Sequence, residues 1–273
     1  MQLINPTKFN NYVSLFYKKN KRDLHWRREI NPYYILISEF MLQQTQVSRV
    51  INYFNKFISI LPTLESLAHA TQELVLSLWS GLGYNRRALY LANAAKIIWT
   101  QYNGIIPNDY NELLKIKGIG DYTAKAIITY SYNIPLIFVE TNIRSVFFIY
   151  CKDLFEKNHK TDDTIIKELI EITINKENPR DWYYSLMDLG THLKKKYKDQ
   201  HIQKSKFFTI QSKFIGSTRQ IRGKIITLLL EKKNINYTDL LSICNDSRSI
   251  DCIKKLTKEN FIYRENNIIY LKQ

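Results

Sequence analysis

The sequence has little of what interrupts helices and little of what builds covalent or metal frameworks. Its 273 residues include eight glycines, six prolines and three cysteines. Cys151, Cys244 and Cys252 stand far apart and in no CxxC pair, which argues against a disulfide framework and against a thiolate metal site. No apolar run reaches the about 20 residues that span a bilayer, and the first residues lack a signal-peptide core. We therefore expect a cytoplasmic protein with no membrane partner.

Acidic residues are scarce relative to basic ones. Forty Lys and Arg stand against 25 Asp and Glu, which gives a formal net charge of +15. Such an excess favours a polyanionic partner, and nucleic acid is the first candidate. Lysine is used heavily along the whole chain, so a biased composition alone would also produce this charge. Because 45% of the residues are hydrophobic, the chain can bury a full core as one large domain or two moderate ones.

Helical periodicity dominates the chain as far as residue 195. Apolar residues recur at i+4 spacing, for example at Leu74, Leu78 and Leu82, and this spacing is typical of amphipathic helices. Prolines such as Pro107 separate the periodic segments. We predict roughly ten helices in this part.

The pattern changes twice after that point. Residues 194–224 hold ten Lys or Arg and one acid, which predicts a basic linker or arm. Three helices and then two strands are predicted beyond it: Arg219–Lys233, a short helix capped by Thr238, Ser249–Asn260, Phe261–Arg264 and Ile268–Leu271. Three helices followed by a hairpin are typical of a winged-helix-like domain.

Two glycines lie between a short predicted helix and a longer one. Gly118 and Gly120 are the glycines of the segment 114–124, and they let another molecule approach the backbone closely. Their N–H groups, with the positive end of the following helix, can bind a DNA phosphate. Lys125, one turn on, would contact phosphate or solvent. A GxG pair taken alone is equally consistent with an ordinary tight turn between helices.

Five ordered blocks give this hairpin a context. They are Trp26-Arg27, Ile37–Val47, Gly81-Leu82-Gly83-Tyr84, the hairpin 114–124 followed by Val139–Asn142, and Leu186–Gly190. Together they resemble the helix-hairpin-helix DNA glycosylases, and among these most closely the MutY-type adenine glycosylases. The resemblance runs from about Leu24 to Leu193.

The resemblance implies a mainly α, two-lobed fold. Residues 24–134 would form a six-helix lobe that contains the hairpin. Residues 1–23 and 135–211 would form the second lobe, with the site between the lobes. Residues 212–273 would form the small winged-helix-like domain.

The resemblance also implies a reaction. The protein would flip a mispaired base out of duplex DNA and hydrolyse its N-glycosidic bond. The base would be adenine opposite 8-oxoguanine or guanine, since Gln43-Gln44 replaces the Arg pair of related mismatch enzymes. Two alternatives stay open, namely thymine or uracil excision opposite guanine and a DNA-binding protein that has lost catalysis. The expected partner is double-stranded DNA with a mismatched or damaged pair, bound by a monomer at the nucleoid if the protein is bacterial.

Two carboxyl groups could serve this reaction, one as acid and one as charge stabiliser. Glu39 is the expected acid, because its apolar surroundings would raise its pKa. Glu140 stands where the family has aspartate, before a helix whose N-terminus would hold it ionised. Glutamate caps helices less well than aspartate, so Thr141 could cap instead. Asn142 matches an asparagine that supports the site.

Other residues match the family at positions around the base. Tyr122 falls where bifunctional relatives similar to endonuclease III carry a Schiff-base lysine, so the resemblance implies little lyase activity. Gln44 matches the side chain inserted in place of the extruded base. Three residues match positions near the extruded adenine: Trp26, Arg27 and Gln43. Tyr84 keeps the family's first tyrosine, whereas Asn85 replaces the second, which wedges beside the opposite base.

The sequence also departs from the family. The four cysteines of its iron–sulfur cluster align with Lys194, His201, Lys204 and Ile210. We therefore predict no cluster and no other cofactor, with the basic arm taking over some DNA contact. The family's Nudix-like domain is too large for the last 60 or so residues, so the winged-helix-like domain is a different module. By resemblance, the carbonyls of Leu114, Ile116 and Ile119 could hold a monovalent cation.

Overall fold

The computed structural model describes residues 4–158, 163–197 and 213–272. Thirteen helices lie in the described residues before residue 198: α1 Pro6–Asn20, α2 His25–Arg28, α3 Pro32–Leu42, α4 Val47–Ile60, α5 Leu64–Ala68, α6 Gln72–Trp79, α7 Arg86–Gln101, α8 Tyr110–Lys115, α9 Asp121–Tyr132, α10 Thr141–Tyr150, α11 Lys152–Asn158, α12 Asp163–Thr173 and α13 Pro179–Tyr197. The predicted number, roughly ten, is too low because helices as short as α2 and α5 show no apolar periodicity. The mainly helical fold class is confirmed.

The described residues group into two compact units. Unit 1 lies within Met1–Ile35 and Pro107–Ile210, and unit 2 within Leu36–Ile106 and Gln211–Gln273. The division into 24–134, 1–23 with 135–211, and 212–273 stays a prediction. Within the described ranges, no helix combines the length and the apolar character that crossing a membrane requires.

Unit 1 is built around the pair α10 and α13, its most extensive helix contact. A glycine makes this close approach possible, because a Cβ at Gly190 would collide with the carbonyl group of Asn142. Aromatic rings fill the space beside the pair, and Phe9 of α1 stacks on Phe147 of α10 with ring centroids 5.2 Å apart. This packing fixes the N-terminal end of α10, where Glu140 lies.

Most of α3 lies in unit 2, since the boundary between the two units falls between Ile35 and Leu36. Residues 36–41 of this helix are all buried, which is the pattern of a core helix rather than a surface one. Helix α7 packs against α5 and α6 and buries a row of alanines that includes Ala88, Ala94 and Ala95. Arg87 of α7 donates to the carbonyls of Phe40 and Met41, which holds the C-terminal end of α3 in the core of this unit.

The rest of unit 2 is a small domain of three helices and a sheet, which we call the C-terminal domain (residues 213–272). Its elements are α14 Thr218–Lys232, β1 Asn234–Asn236, α15 Tyr237–Cys244, α16 Ser249–Lys258, β2 Ile262–Glu265 and β3 Ile268–Leu271. The sheet is antiparallel in the order β1-β3-β2, so the predicted three helices and hairpin are confirmed. The prediction that Thr238 caps α15 is wrong, because the Asn236 side chain accepts the hydrogen bond from the Thr238 N–H, at 3.0 Å.

Candidate functional site

The carboxyl group of Glu39 lies in the buried part of α3. Glu39 is 7% exposed, and its neighbours Ser38 and Phe40 are each 1% exposed. Little water reaches this position, so the Glu39 side chain is largely withdrawn from solvent. A buried carboxyl group is better suited to donating a proton than to keeping a protein surface soluble.

The loop after α3 presents a glutamine to solvent. Gln44 is exposed and adopts the left-handed backbone conformation, with φ +54°. The Thr45 N–H donates to the Leu42 carbonyl at 3.2 Å, which closes a tight turn around Gln44. Gln43, one residue earlier, is partly buried. The exposed position of Gln44 is one from which a side chain can enter a DNA duplex.

A buried arginine that sequence reasoning missed holds this loop in place. The Arg87 guanidinium donates five hydrogen bonds, to the carbonyls of Phe40 (3.0 Å), Met41 (2.8 Å), Gln43 (2.6 Å) and Gly83 (3.0 Å) and to the Thr45 hydroxyl (3.1 Å). Arg87 is 7% exposed, and burial lowers its pKa to about 10. The sequence signal is a charged residue on the alanine-rich face of α7. Arg87 therefore ties the Gln44 loop to the turn 81–84.

The turn 81–84 needs unusual backbone conformations. Gly81 has φ +91° and a Cβ there would collide with the hydroxyl of Tyr53. Tyr84 has φ +50°, which is unfavourable for a residue with a side chain. Arg219 of α14 donates to the Tyr84 hydroxyl at 2.8 Å, and sequence reasoning missed this contact as well.

Glu140 is the N-cap of α10. Its carboxylate accepts hydrogen bonds from the backbone N–H groups of Asn142 and Ile143 (3.0 Å for Ile143) and from the Asn142 side-chain amide at 3.2 Å. The alternative that Thr141 caps the helix is therefore wrong. Burial raises the pKa of the Glu140 carboxyl, against the lowering effect of Lys194 and of these hydrogen bonds. The helix N-terminus favours the charged form, as expected, but desolvation outweighs it.

One face of α13 covers the start of α10. Residues 187, 190, 191 and 194 have the i, i+3, i+4, i+7 spacing of a single helix face. The Met187 sulfur lies 3.8 Å from the Asn142 amide nitrogen, and Thr191 donates to the Asn142 side-chain carbonyl at 3.5 Å. Lys194 follows on the same face, which explains its electrostatic effect on Glu140. Asn142 is thereby fixed next to the Glu140 carboxylate.

Arg27 of α2 is held by Asp188 of α13. The Arg27 guanidinium pairs with the buried Asp188 carboxylate at 3.0 Å and lies 4.2 Å from the centroid of the Tyr184 ring. Arg22 pairs with the same carboxylate at 2.5 Å. Trp26 is 3% exposed. This arrangement makes Arg27 a buried, supporting side chain in the free protein, and its contact with a base stays a prediction.

The two glycines lie between α8 and α9, as predicted. Gly118 has φ +100°, and Gly120 is the N-cap of α9 with no side chain to cap its N–H groups. The Ile119 N–H donates to the Ile116 carbonyl at 3.1 Å. Tyr122 packs edge-on against Phe138, with ring centroids 5.6 Å apart.

Lys125 forms an ion pair within α9. Its ammonium lies 2.7 Å from the Asp121 carboxylate, which also accepts a hydrogen bond from the Tyr110 hydroxyl at 2.6 Å. The charge that Lys125 offers to an anion is therefore partly offset by Asp121 in the free protein.

Comparison with known proteins agrees with this geometry. Residues 37–173 match the HhH-GPD superfamily of base excision DNA repair proteins. The chain belongs to this superfamily. The resemblance to helix-hairpin-helix glycosylases inferred from the five sequence blocks is thus confirmed.

Two curated relatives of this HhH-GPD chain are adenine DNA glycosylases. The protein of Mycolicibacterium smegmatis is 42% identical over 48% of this chain and 45% of the relative. That of Buchnera aphidicola subsp. Baizongia pistaciae is 35% identical over 67% of this chain and 51% of the relative. The chain thus spans about half the length of the curated relatives it matches.

Solved structures give the same fold. A thermostable thymine-DNA glycosylase is 25% identical with a TM-score of 0.61, over 68% of this chain and 85% of that one. A non-covalent endonuclease III–DNA complex is 18% identical with a TM-score of 0.55, over 67% of this chain and 85% of that one. The second likeness shows the HhH-GPD fold alone.

Of the four positions aligned with the family's cluster cysteines, only Lys194 can be placed. His201, Lys204 and Ile210, with most of the basic arm, lie outside the described residues. Within the described ranges, no group of three or more His, Cys, Asp or Glu residues could hold a metal ion. The absence of an iron–sulfur cluster from this HhH-GPD chain stays a prediction.

Replacing Arg87 by alanine is expected to destabilise the protein by about 3 kcal/mol or more, because several buried carbonyls lose their donor. Urea unfolding would measure the change in midpoint. The neighbouring Arg86 is the matched control, since its half-exposed side chain pairs with Glu259 and Arg86→Ala should cost less than about 1 kcal/mol. Equal midpoints for the two variants would contradict the role assigned to Arg87.

Proposed function

We propose that the protein is an adenine DNA glycosylase that removes adenine from a mispair with 8-oxoguanine or guanine. The observation that carries the proposal is the buried carboxyl of Glu39 on α3, the helix that leads into the loop of the exposed Gln44. Family membership and the names of the curated relatives support the substrate class. The carboxyl can donate a proton to a base, and the glutamine can fill the space that the base leaves.

Glu39 protonates the departing adenine as the bond between the base and C1′ of the sugar breaks. The electron pair of that bond leaves with the base, so positive charge develops on the sugar. The Glu140 carboxylate, oriented by Asn142, stabilises this charge, as the second carboxylate does in glycoside hydrolysis. Water then adds to C1′ and gives up one proton, which returns to the Glu39 carboxylate. The products are free adenine and an abasic site.

Tyr122 makes the reaction monofunctional. A phenol cannot form the imine through which a lysine amine would cleave the strand, so the abasic DNA is the product. The N–H groups of Gly118 and Gly120 bind a backbone phosphate. Lys125 assists when its ammonium group leaves the Asp121 carboxylate and pairs with the phosphate.

Other residues contact the extruded base or fill the space that it leaves. Gln44 enters the duplex, and Gln43, Trp26 and Arg27 lie near the extruded adenine. In the free protein the Arg27 side chain is held by its pair with Asp188. The carbonyls of Leu114, Ile116 and Ile119 are a candidate site for a monovalent cation at the phosphate.

The enzyme acts as a monomer on double-stranded DNA, in the cytoplasm, and at the nucleoid if the cell is bacterial. It works without an iron–sulfur cluster, because three cysteines in this chain cannot supply four ligands. The basic arm supplies part of the phosphate contact instead.

A second candidate is excision of thymine or uracil opposite guanine. The structural similarity to a thymine-DNA glycosylase favours it. A catalytically silent DNA binder is the third possibility, because fold does not fix activity.

One assay separates these functions. Excess protein is incubated with duplexes carrying A opposite 8-oxoguanine, A opposite G, T opposite G and U opposite G, and abasic sites are cleaved with alkali. We expect strand breaks at adenine only. Breaks at thymine or uracil alone would establish the second candidate. Tight binding without breaks in any duplex would establish the third.

A further inference from the structure

The C-terminal domain lies against residues 72–86 of the same compact unit. Polar contacts link the two segments: Arg86 with Glu259, Lys233 with Glu73, and the Gln72 side chain with the backbone carbonyls of Asn260 (3.1 Å) and Phe261 (3.4 Å). They involve the end of α14, the end of α16 and the start of β2. The domain is therefore fixed beside the turn 81–84 at several separate points.

Because the domain lies there, Arg219 in the first turn of α14 contacts Tyr84. It donates to the tyrosine hydroxyl at 2.8 Å, and its guanidinium lies 5.4 Å from the ring centroid. Arg87 lies 5.5 Å from the same centroid. Two cationic groups from different parts of unit 2 thus hold one aromatic ring. The left-handed backbone of Tyr84 is unfavourable, so these side-chain contacts help to keep it in place.

The turn that carries Tyr84 is joined to the loop that carries Gln44. The Arg87 guanidinium bonds the carbonyl of Gln43 at 2.6 Å and that of Gly83 at 3.0 Å. If Gln44 replaces the extruded base, the turn beside it faces the base left unpaired on the other strand. Tyr84 is then placed next to that base.

We propose that Arg219 is a positioning residue, which fixes the Tyr84 ring and thereby lets the C-terminal domain set the preference for the base opposite the excised adenine. This inference rests on the proposed function. A ring held in one orientation fits beside some opposite bases and not others, whereas a released ring tolerates more of them. The proposal gives the C-terminal domain a part in substrate recognition.

The experiment measures single-turnover excision of adenine opposite 8-oxoguanine and opposite cytosine, with the full chain. We expect Arg219→Ala to lower the ratio of the two rates about tenfold, which is the size of a charge-assisted hydrogen bond. Tyr84→Phe, which removes only the acceptor, should lower the ratio by a similar factor. The double variant should lower it no further. Arg219→Lys, which retains a donor, should lie closer to wild type.

A matched control is Arg264→Ala, since Arg264 lies in the same domain over the Tyr237 ring and should leave the ratio unchanged. An unchanged ratio in Arg219→Ala, or additive effects in the double variant, would overturn the inference. The same comparison can be made without turnover. The dissociation constants for the two duplexes are then measured with Glu39→Gln, with and without Arg219→Ala. Loss of all excision in the wild type would therefore refute the proposed function, while the binding ratio would still decide the role of Arg219.

Discussion

Replacing Glu39 by glutamine is expected to abolish base excision while DNA binding is retained. The substitution keeps the shape of a side chain that lies within the buried stretch 35–41 of α3, so the fold should tolerate it. It removes the proton that the departing base needs. We expect the single-turnover rate to fall roughly a hundred- to ten-thousand-fold, the usual contribution of general acid catalysis.

The control for this variant is Glu29→Gln, ten positions earlier and exposed, which should leave the rate unchanged. Binding to an A:8-oxoguanine duplex, followed by fluorescence anisotropy, should be the same for wild type and both variants. Unchanged excision in Glu39→Gln would exclude Glu39 as the acid. If binding and thermal stability fell together with excision, the loss would reflect misfolding. Glu39→Asp would then be the test variant, and it should fold normally but excise adenine more slowly than wild type.

Much of the fold is predictable from sequence because its signals are local. The hairpin between α8 and α9 follows from two glycines between apolar segments, and the small domain at the C-terminal end follows from a change of apolar period. Strand β1 was not predictable in this way. Its three residues, Asn-Ile-Asn, are too few for alternation to indicate a strand, and it forms by pairing with the edge of β3. Long-range pairing of this kind leaves no trace in a short polar segment.

The residues of the candidate site also differ in whether the sequence indicates them. Glu39, Gln44 and Glu140 were found because they lie in recognisable sequence blocks. Arg87 and Arg219 were missed because their partners are backbone carbonyls and a tyrosine hydroxyl in segments distant along the chain. Such acceptors have no residue type of their own, so no sequence pattern indicates them.

Arg27 shows a different limit of sequence reasoning. Its sequence block predicts proximity to the extruded base. The structure adds an ion pair with Asp188, which lies on α13 and is 4% exposed. A charged residue in the apolar block Leu186–Gly190 was the available signal, and it indicates a buried ion pair.

The pKa of Glu140 could not have been predicted from its position at a helix N-terminus. The helix end and its two N–H donors favour the carboxylate, but packing of α13 over this site removes water from it, and the desolvation is the larger effect. A carboxyl with a raised pKa takes up its proton at a higher pH as the solution is acidified, and the neutral form cannot stabilise a cationic sugar.

Excision should therefore fail on the acid side at a pH above the ordinary glutamate value of 4.5. Glu140→Gln should remove this acid limb. It should lower the rate roughly a hundred- to a thousandfold above the pKa of Glu140, where the wild-type carboxylate is charged, as loss of a preorganised charge does. Single-turnover rates measured across pH on an A:8-oxoguanine duplex would test both expectations. A wild-type acid limb that persisted in Glu140→Gln would assign it to another group.

Lys194→Met should move the acid limb to still higher pH, because Lys194 is the positive charge that lowers the pKa of Glu140. The variant should be slow between the two pKa values and approach the wild-type rate above them, since Glu140 is ionised in both proteins there. Lys194→Arg should restore the wild-type profile. Lys195→Met is the matched control, because Lys195 is exposed on the same helix and lies off the face that covers Asn142. A uniform loss of rate in Lys194→Met, with no shift of the limb, would mean that this lysine contacts DNA instead of tuning the carboxylate that stabilises the sugar.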